Sequence, residues 1–310
     1  MVLLIAYASD LKEEAFAALR AQGCELRFLP GDEKQSYPDL DFSDVEGVVC
    51  YRFFCYNSLD RFPRLRFIQL TSHGTDHMPL DTLRARGIAL FDARGAYSPA
   101  IAEFALCGVL QLYKCAPLFH RQQAQHVWQQ TRTLRELGGQ TVCIVGTGSI
   151  GTECARRFRA MGCRVIGLCR HPKDAPDYDA QYPVSALDAL LPESDIVILT
   201  LPLTEESRGL FNAARIARMK PGAVLVNVSR GAVVESAALL DALRSGQLSG
   251  AVADVFETEP LPPDSPLWDV ENLILTPHNS FSGNLNGKRL FEIISKNISE
   301  EINLNGGATP

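Results

Sequence analysis

Thr141-Val142-Cys143-Ile144-Val145 runs straight into Gly146-Thr147-Gly148-Ser149-Ile150-Gly151, and that turn runs into a helical pattern from Thr152 to Ala160. A buried strand, three glycines at this spacing and a helix make a βα unit of one particular kind. Gly146 permits the tight turn after the strand. Gly148 has no Cβ, so a pyrophosphate can approach the backbone. Gly151 lets the helix pack close to the strand. The N–H groups of Ser149 and Ile150 then face the phosphates with the helix dipole behind them. The glycine pattern by itself is an ordinary turn; the strand before it and the helix after it make it a dinucleotide fingerprint.

The 310 residues suffice for two domains, and 46% hydrophobic with 21% charged residues is the balance of a globular chain with a real core. A net charge of −6 argues against nucleic acid and anionic membranes as partners. The nine cysteines are scattered, with no C-x-x-C pair, and several sit inside apolar patterns. They read as reduced, buried thiols of a cytoplasmic protein. The start, Met1 to Tyr7, reads as a short strand without a basic region or a cleavage site, so not as a signal peptide. No apolar run reaches membrane-spanning length.

Strand patterns at 2–7, 25–29, 46–51, 65–70 and 87–91 alternate with helical ones at 12–22 and 80–86. This first unit, residues 1–97, lacks a glycine fingerprint. Ser98 and Pro99 suit the N-cap and first position of an apolar helix running through Leu112. A polar segment, 121–135, holds Trp128. Six strands follow, at 141–145, 164–168, 195–200, 223–228, 250–254 and 272–275, with helical patterns between most of them. A final helix at 287–303 returns to the first unit. The expected fold is α/β with two doubly wound parallel-sheet domains. A Rossmann dinucleotide-binding domain (98–282) is inserted into a flavodoxin-like substrate domain (1–97 and 283–310).

Three polar sites stand at strand ends of the second domain: Asn227-Val228-Ser229-Arg230-Gly231, Asp254-Val255-Phe256-Glu257-Thr258-Glu259-Pro260 and Thr276-Pro277-His278-Asn279. Ligands of a doubly wound sheet bind outside the carboxyl ends of its strands, so all three fall on the cofactor's edge. Their chemistry fits one reaction. A hydride reaching a ketone carbon leaves negative charge on oxygen, and a protonated His278 can deliver a proton there as general acid. Glu259 would hold the imidazole and stabilise its charged form. Arg230 carries a rigid fork that matches a carboxylate beside the carbonyl. Each residue alone is commonplace in a turn; sharing one sheet edge behind a nucleotide fingerprint, they describe a site. No metal ion is called for.

These segments resemble the signature segments of the D-isomer-specific 2-hydroxyacid dehydrogenases. The resemblance extends to Ser72-His73-Gly74-Thr75-Asp76-His77, which looks like the family's substrate loop, and to Ile101-Ala102-Glu103 and Met219-Lys220-Pro221-Gly222-Ala223. It covers essentially the whole chain. It implies a catalytic triad of Arg230, Glu259 and His278. It also implies that Asp254 holds the nicotinamide carboxamide, that backbone amides near His73 and Gly74, with Ser72, bind the substrate carboxylate, and that the protein is a homodimer through its cofactor domain. Pro202, in the loop after the strand 195–200, joins the expected cofactor contacts. Arg52 ends a strand where some members carry a substrate-binding arginine. Two positions depart from the family pattern. Asn279-Ser280-Phe281-Ser282-Gly283 replaces a small apolar-glycine segment, and His73 stands where many members have a small or apolar residue. Both border the expected substrate pocket, so the substrate is given only as a small 2-keto acid or 2-hydroxy acid.

An NAD enzyme wants an acid at the end of the second strand of the nucleotide domain, accepting from the ribose hydroxyls. Cys169 stands there, followed by Arg170 and His171, which can pair with a 2′-phosphate. NADP is therefore expected as the preferred cofactor, with NAD possible. The leading function is an NAD(P)-dependent oxidoreductase working as a 2-keto acid reductase. The alternatives are a 3-phosphoglycerate dehydrogenase-like enzyme and a nucleotide-sensing, corepressor-like binding protein on the same fold.

Overall fold

Short runs of wholly apolar residues, alternating with amphipathic helices, bury both their faces only as parallel strands covered above and below. The computed structural model describes residues 1–7, 11–75 and 77–306, with side chains as far as 302. The chain divides into two compact units, one of Met1–Tyr97 with Gly283–Pro310, the other of Ser98–Ser282.

The first unit contains β1 (Val2–Ile5), α1 (Glu13–Ala21), β2 (Glu25–Phe28), β3 (Gly47–Cys50), β4 (Phe67–Leu70), α2 (Leu80–Ala85) and β5 (Ala89–Phe91). Its five strands are parallel in the order β2-β1-β3-β4-β5, the flavodoxin-like winding. β3 and β4 are buried along their whole length, as their unbroken apolar character requires.

The second unit opens with α3 (Ser98–Tyr113) and α4 (Ala116–Ala124). It continues through β6 (Thr141–Val145), α5 (Ser149–Ala160), β7 (Arg164–Cys169), β8 (Ala180–Pro183), α6 (Leu187–Leu190) and β9 (Ile196–Leu199). α7 (Ala213–Ile216), β10 (Ala223–Asn227), α8 (Ser236–Ser245), β11 (Leu248–Ala253) and β12 (Leu273–Leu275) complete it. The sheet order is β12-β11-β10-β9-β6-β7-β8, all parallel. Counted from β6, this is the 3-2-1-4-5-6 winding of a dinucleotide domain with one strand added. The order reverses at β6, so the glycine turn that follows it lies between the ends of β7 and β9.

The chain then returns to the first unit as α9 (Asn286–Gly306). Leu290, Ile294 and Ile298, four residues apart, form one buried stripe with Leu3, Leu19 and Phe67. Each such side chain contributes about 1.5–3 kcal/mol when withdrawn from water. Asn297 Nδ2 donates to the fully buried Gln69 at 2.7 Å, which satisfies the one polar side chain of β4.

Three expectations are corrected. The second unit has seven strands, not six; the sequence does not reveal β8 because it is short, half-exposed, at the edge and closed by Pro183. Ser98 is the first helical residue of α3, and its hydroxyl meets that of Ser149 at 3.0 Å. All nine cysteines are free thiols, but Cys55 and Cys107 are exposed, because each lies on the solvent side of its helical turn. Among the described residues no single helix is long and apolar enough to cross a membrane. α3 and α4 pass that test only as a pair, bent by 64°.

Candidate active site

The glycine turn has the geometry of a dinucleotide cradle. Gly146 has φ 109°, a conformation that side chains resist, and a Cβ there would stand 2.9 Å from Thr200 Oγ1. A Cβ on Gly151 would stand 2.0 Å from the Gly146 carbonyl oxygen, so α5 can start this close to β6 only with glycine. Gly148 differs: a Cβ there meets nothing within 4 Å. Gly148 is also the N-cap of α5 and offers no side-chain acceptor to the first-turn amides. Donors at a helix start, open space at Gly148 and a sheet that changes direction there fit a pyrophosphate.

At the end of β7, Cys169 Sγ lies 3.5 Å from Gln181 Oε1, and Arg170 and His171 are exposed. Among the described residues no carboxylate pairs with Arg170 within ion-pair distance. Its charge acts at longer range on Glu206, in the loop after β9. The Thr204 hydroxyl first, and Arg170 more weakly, hold the Glu206 carboxyl below the usual carboxylate range. In the same loop the Pro202 carbonyl accepts from the buried Ser207 hydroxyl at 2.8 Å.

Three strand-end segments carry Arg230, Glu259 and His278. β10 ends at Asn227, whose buried side chain accepts from the Ser229 amide (3.1 Å) and hydroxyl (2.7 Å) and donates to the Arg230 carbonyl (3.1 Å). Gly231 follows, and a Cβ there would lie 1.9 Å from the Phe256 carbonyl carbon. The turn that bears Arg230 therefore packs directly on the loop that leads to Glu259. Arg230 donates from Nη1 to the Ser229 carbonyl at 2.8 Å.

Glu259 and His278 meet. Glu259 Oε2 lies 2.7 Å from His278 Nδ1, while Oε1 accepts from the Phe256 amide at 2.9 Å. One carboxylate oxygen is thus pinned to the backbone and the other holds the ring. The carboxylate selects the tautomer with hydrogen on Nδ1 and leaves Nε2 as the nitrogen that can exchange a proton with a ligand. His278 has φ 51°, in the left-handed region, at a backbone cost of about 1–3 kcal/mol. Its amide donates to the Asp254 carbonyl at 2.8 Å.

That geometry is held by Asp254, which is fully buried at the end of β11. Its carboxylate accepts from the Thr276 hydroxyl (2.7 Å), the Asn279 amide (2.8 Å) and the Ser280 amide (2.9 Å). The resemblance gives this residue a role toward nicotinamide. Here three donors from the His278 loop occupy most of its acceptor capacity. Sequence reasoning did not assign Asn227, Gly231, Phe256 or Thr276. An asparagine closing an apolar strand is the signal that could have found the first of them.

The remaining candidates belong to the first unit. β3 and β4 are neighbours in register, Cys50 opposite Leu70, so Arg52 and Ser72 leave the sheet side by side. Arg52 is exposed, with its guanidinium 5.3 Å from the centre of the Tyr51 ring. Ser72 Oγ donates to the Gly74 carbonyl at 3.2 Å, and His73 Nδ1 lies 3.1 Å from Asp92 Oδ2. Burial raises the Asp92 carboxyl, but the bonds from His73 and the Arg94 amide outweigh it and hold the group below the usual range. Asp76 lies outside the described residues. Among the described residues no group of three or more His, Cys, Asp or Glu side chains comes together to hold a metal ion.

A dinucleotide turn on a doubly wound sheet, with a carboxylate–histidine pair at its carboxyl edge, defines a nicotinamide-dependent oxidoreductase. Residues 106–280 match the family described as D-isomer specific 2-hydroxyacid dehydrogenase, NAD binding domain. The chain is 37% identical over 225 residues to an (S)-sulfolactate dehydrogenase of Chromohalobacter salexigens, covering 71% of this chain and 72% of that one. Among solved structures it resembles a D-isomer specific 2-hydroxyacid dehydrogenase of Xanthobacter autotrophicus in complex with NADPH and MES. The TM-score is 0.79 at 31% identity, covering 100% of this chain and 96% of that one. A D-lactate dehydrogenase of Aquifex aeolicus, complexed with NAD and lactic acid, gives a TM-score of 0.77 at 28% identity over 99% and 96% of the two chains. The protein belongs to the D-isomer-specific 2-hydroxyacid dehydrogenase family and is an NAD(P)-dependent oxidoreductase of that family.

Proposed function

We propose that the protein reduces a small 2-keto acid to its D-2-hydroxy acid, with His278 as the proton donor. The observation that carries this reading is the 2.7 Å bond between His278 Nδ1 and Glu259 Oε2. Arg230 binds the substrate carboxylate through its planar fork. In the first unit, the amides near His73 and Gly74, with Ser72 and Arg52, are the groups that suit a substrate anion. When bound, the nicotinamide supplies the hydride. His278 gives its Nε2 proton to the substrate oxygen as charge develops there, and Glu259 steadies the ring through the exchange. In the reverse direction the neutral imidazole takes the hydroxyl proton.

Gly146, Gly148, Ser149, Ile150 and Gly151 hold the pyrophosphate, with Pro202 and Asp254 along the same edge. Arg170 and His171 meet the 2′-phosphate, so NADPH is preferred. A well-formed pair of this kind contributes about 1.5–3 kcal/mol, a tenfold to hundredfold preference. The protein acts as a homodimer in the cytoplasm. The exposed apolar side chains Phe119, Val127, Trp128 and Leu134 of the second unit, and nine free thiols, support that reading.

The test is the loss of reduced-nicotinamide absorbance with glyoxylate, pyruvate and oxaloacetate, NADPH against NADH. Turnover of at least one keto acid is expected, with the higher kcat/KM for NADPH. Cys169→Asp combined with Arg170→Ala reverses the cofactor order. A wild-type preference for NADH would remove Arg170 from the ribose. Glu259→Gln should lower kcat by roughly tenfold at unchanged NADPH affinity, because the ring loses its fixed tautomer and orientation. A kcat within twofold of wild type would dismiss Glu259 as the orienting group.

A further inference from the structure

Glu33 is 2% exposed, in a loop whose sequence, Gly31-Asp32-Glu33-Lys34, has the composition of a solvated turn. Among the described residues no cation pairs with it. Burying a carboxylate is costly unless strong donors replace its water. Two do so here. Oε2 accepts from the Tyr51 amide and Oε1 from the Arg52 amide, both at 2.8 Å.

Successive amides of an extended strand point to opposite sides. Both reach one carboxylate only because the chain turns at the end of β3, and Arg52 has left the strand conformation with φ −121° and ψ 13°. The turn is held from its other side by His77, whose Nε2 bonds the Tyr51 carbonyl at 2.6 Å and whose ring meets the Tyr51 ring edge-on at 5.7 Å. Asn57 ties the same two segments together, accepting from the Tyr37 amide at 3.0 Å and donating to the Gln35 carbonyl at 3.0 Å. The Arg52 guanidinium, over the Tyr51 ring, has no carboxylate partner among the described residues.

We infer that Glu33 is a positioning residue for substrate binding. Its buried carboxylate bends the end of β3 through the Tyr51 and Arg52 amides and so fixes where the Arg52 charge stands for an anionic substrate. This rests on the reading above that Arg52 meets that substrate. Glu33 touches neither substrate nor cofactor. Its removal leaves the acid–base pair and the glycine turn, both in the other unit, unaltered, so the effect falls on substrate affinity and not on kcat.

The experiment measures oxalate binding to the NADPH complex by calorimetry, and kcat and KM for the best keto acid of the three above. The proteins are wild type, Glu33→Gln, Glu33→Asp, Arg52→Met and the Glu33→Gln/Arg52→Met double variant. Glu33→Gln and Arg52→Met should each weaken oxalate and raise KM about tenfold, as expected for a lost charge-assisted contact, with kcat and NADPH affinity within twofold of wild type. The double variant should be no weaker than Arg52→Met, because Glu33 acts through Arg52. Glu33→Asp keeps the charge one methylene back and should fall between wild type and Glu33→Gln; it carries the test if the glutamine variant does not fold. Oxalate and KM values within twofold of wild type in both Glu33 variants overturn the inference. So does a full additional loss in the double variant. No effect of Arg52→Met overturns the Arg52 assignment and the inference with it, whereas an effect of Arg52→Met alone overturns only the inference.

Discussion

His278→Ala lowers kcat for keto acid reduction by about a hundredfold or more while the NADPH dissociation constant stays near the wild-type value, the range that follows loss of a general acid. The separation of the two effects comes from the fold. His278 sits in a loop organised by Asp254, whose carboxylate binds Thr276, Asn279 and Ser280 and not the imidazole. Truncating the ring therefore leaves the loop and the glycine turn intact and removes only the imidazole beside Glu259. Alanine keeps the Cβ that makes the left-handed backbone at His278 costly, so the substitution does not relieve that cost. Steady-state kinetics with a cofactor titration by fluorescence check both numbers. Turnover close to wild type would take His278 out of the reaction.

Gly151→Ala should be the most damaging single change in the cofactor domain. A methyl group there would stand 2.0 Å from the Gly146 carbonyl oxygen, a backbone atom that cannot rotate away. The first turn of α5 must then lift off β6, and the amides of Ser149 and Ile150 move with it. Overpacking of this kind costs about 1–3 kcal/mol of stability. The shifted donors should weaken NADPH by a hundredfold or so, equivalent to about 2.7 kcal/mol. Gly148→Ala separates the two effects, since its methyl meets no protein atom within 4 Å. It should keep the melting temperature and still weaken NADPH, because it stands where the pyrophosphate approaches. Thermal melts and NADPH titrations of both variants decide the matter. Unchanged NADPH affinity in Gly151→Ala, or in Gly148→Ala, would mean that the cofactor does not lie on this turn.

What the sequence made legible was local or periodic. Gly146 answers a local need for a positive φ and Gly151 one for close packing, so their spacing, read with the strand before and the helix after, carries the turn. The parallel α/β winding puts every strand's carboxyl end on one edge, so Arg230, Asp254 and His278 could be gathered without coordinates. What stayed hidden depended on partners distant in sequence. Nothing near Asp254 says that its carboxylate closes on Thr276 and two amides more than twenty residues later. Glu33 looks like a surface residue until the end of β3 turns onto it. β8 lacks both length and an apolar face, and its pairing with β7 appears only in the sheet.

At the centre of the proposed reaction, a hydride from the nicotinamide adds to one face of the carbonyl carbon of a 2-keto acid. Reduction of pyruvate or oxaloacetate with NADPH carrying deuterium at both C4 positions tests it in one measurement, with the product examined by proton NMR and chiral chromatography. The expected product is a 2-hydroxy acid of D configuration carrying deuterium at C2. Protium at C2, or an L product, would contradict it.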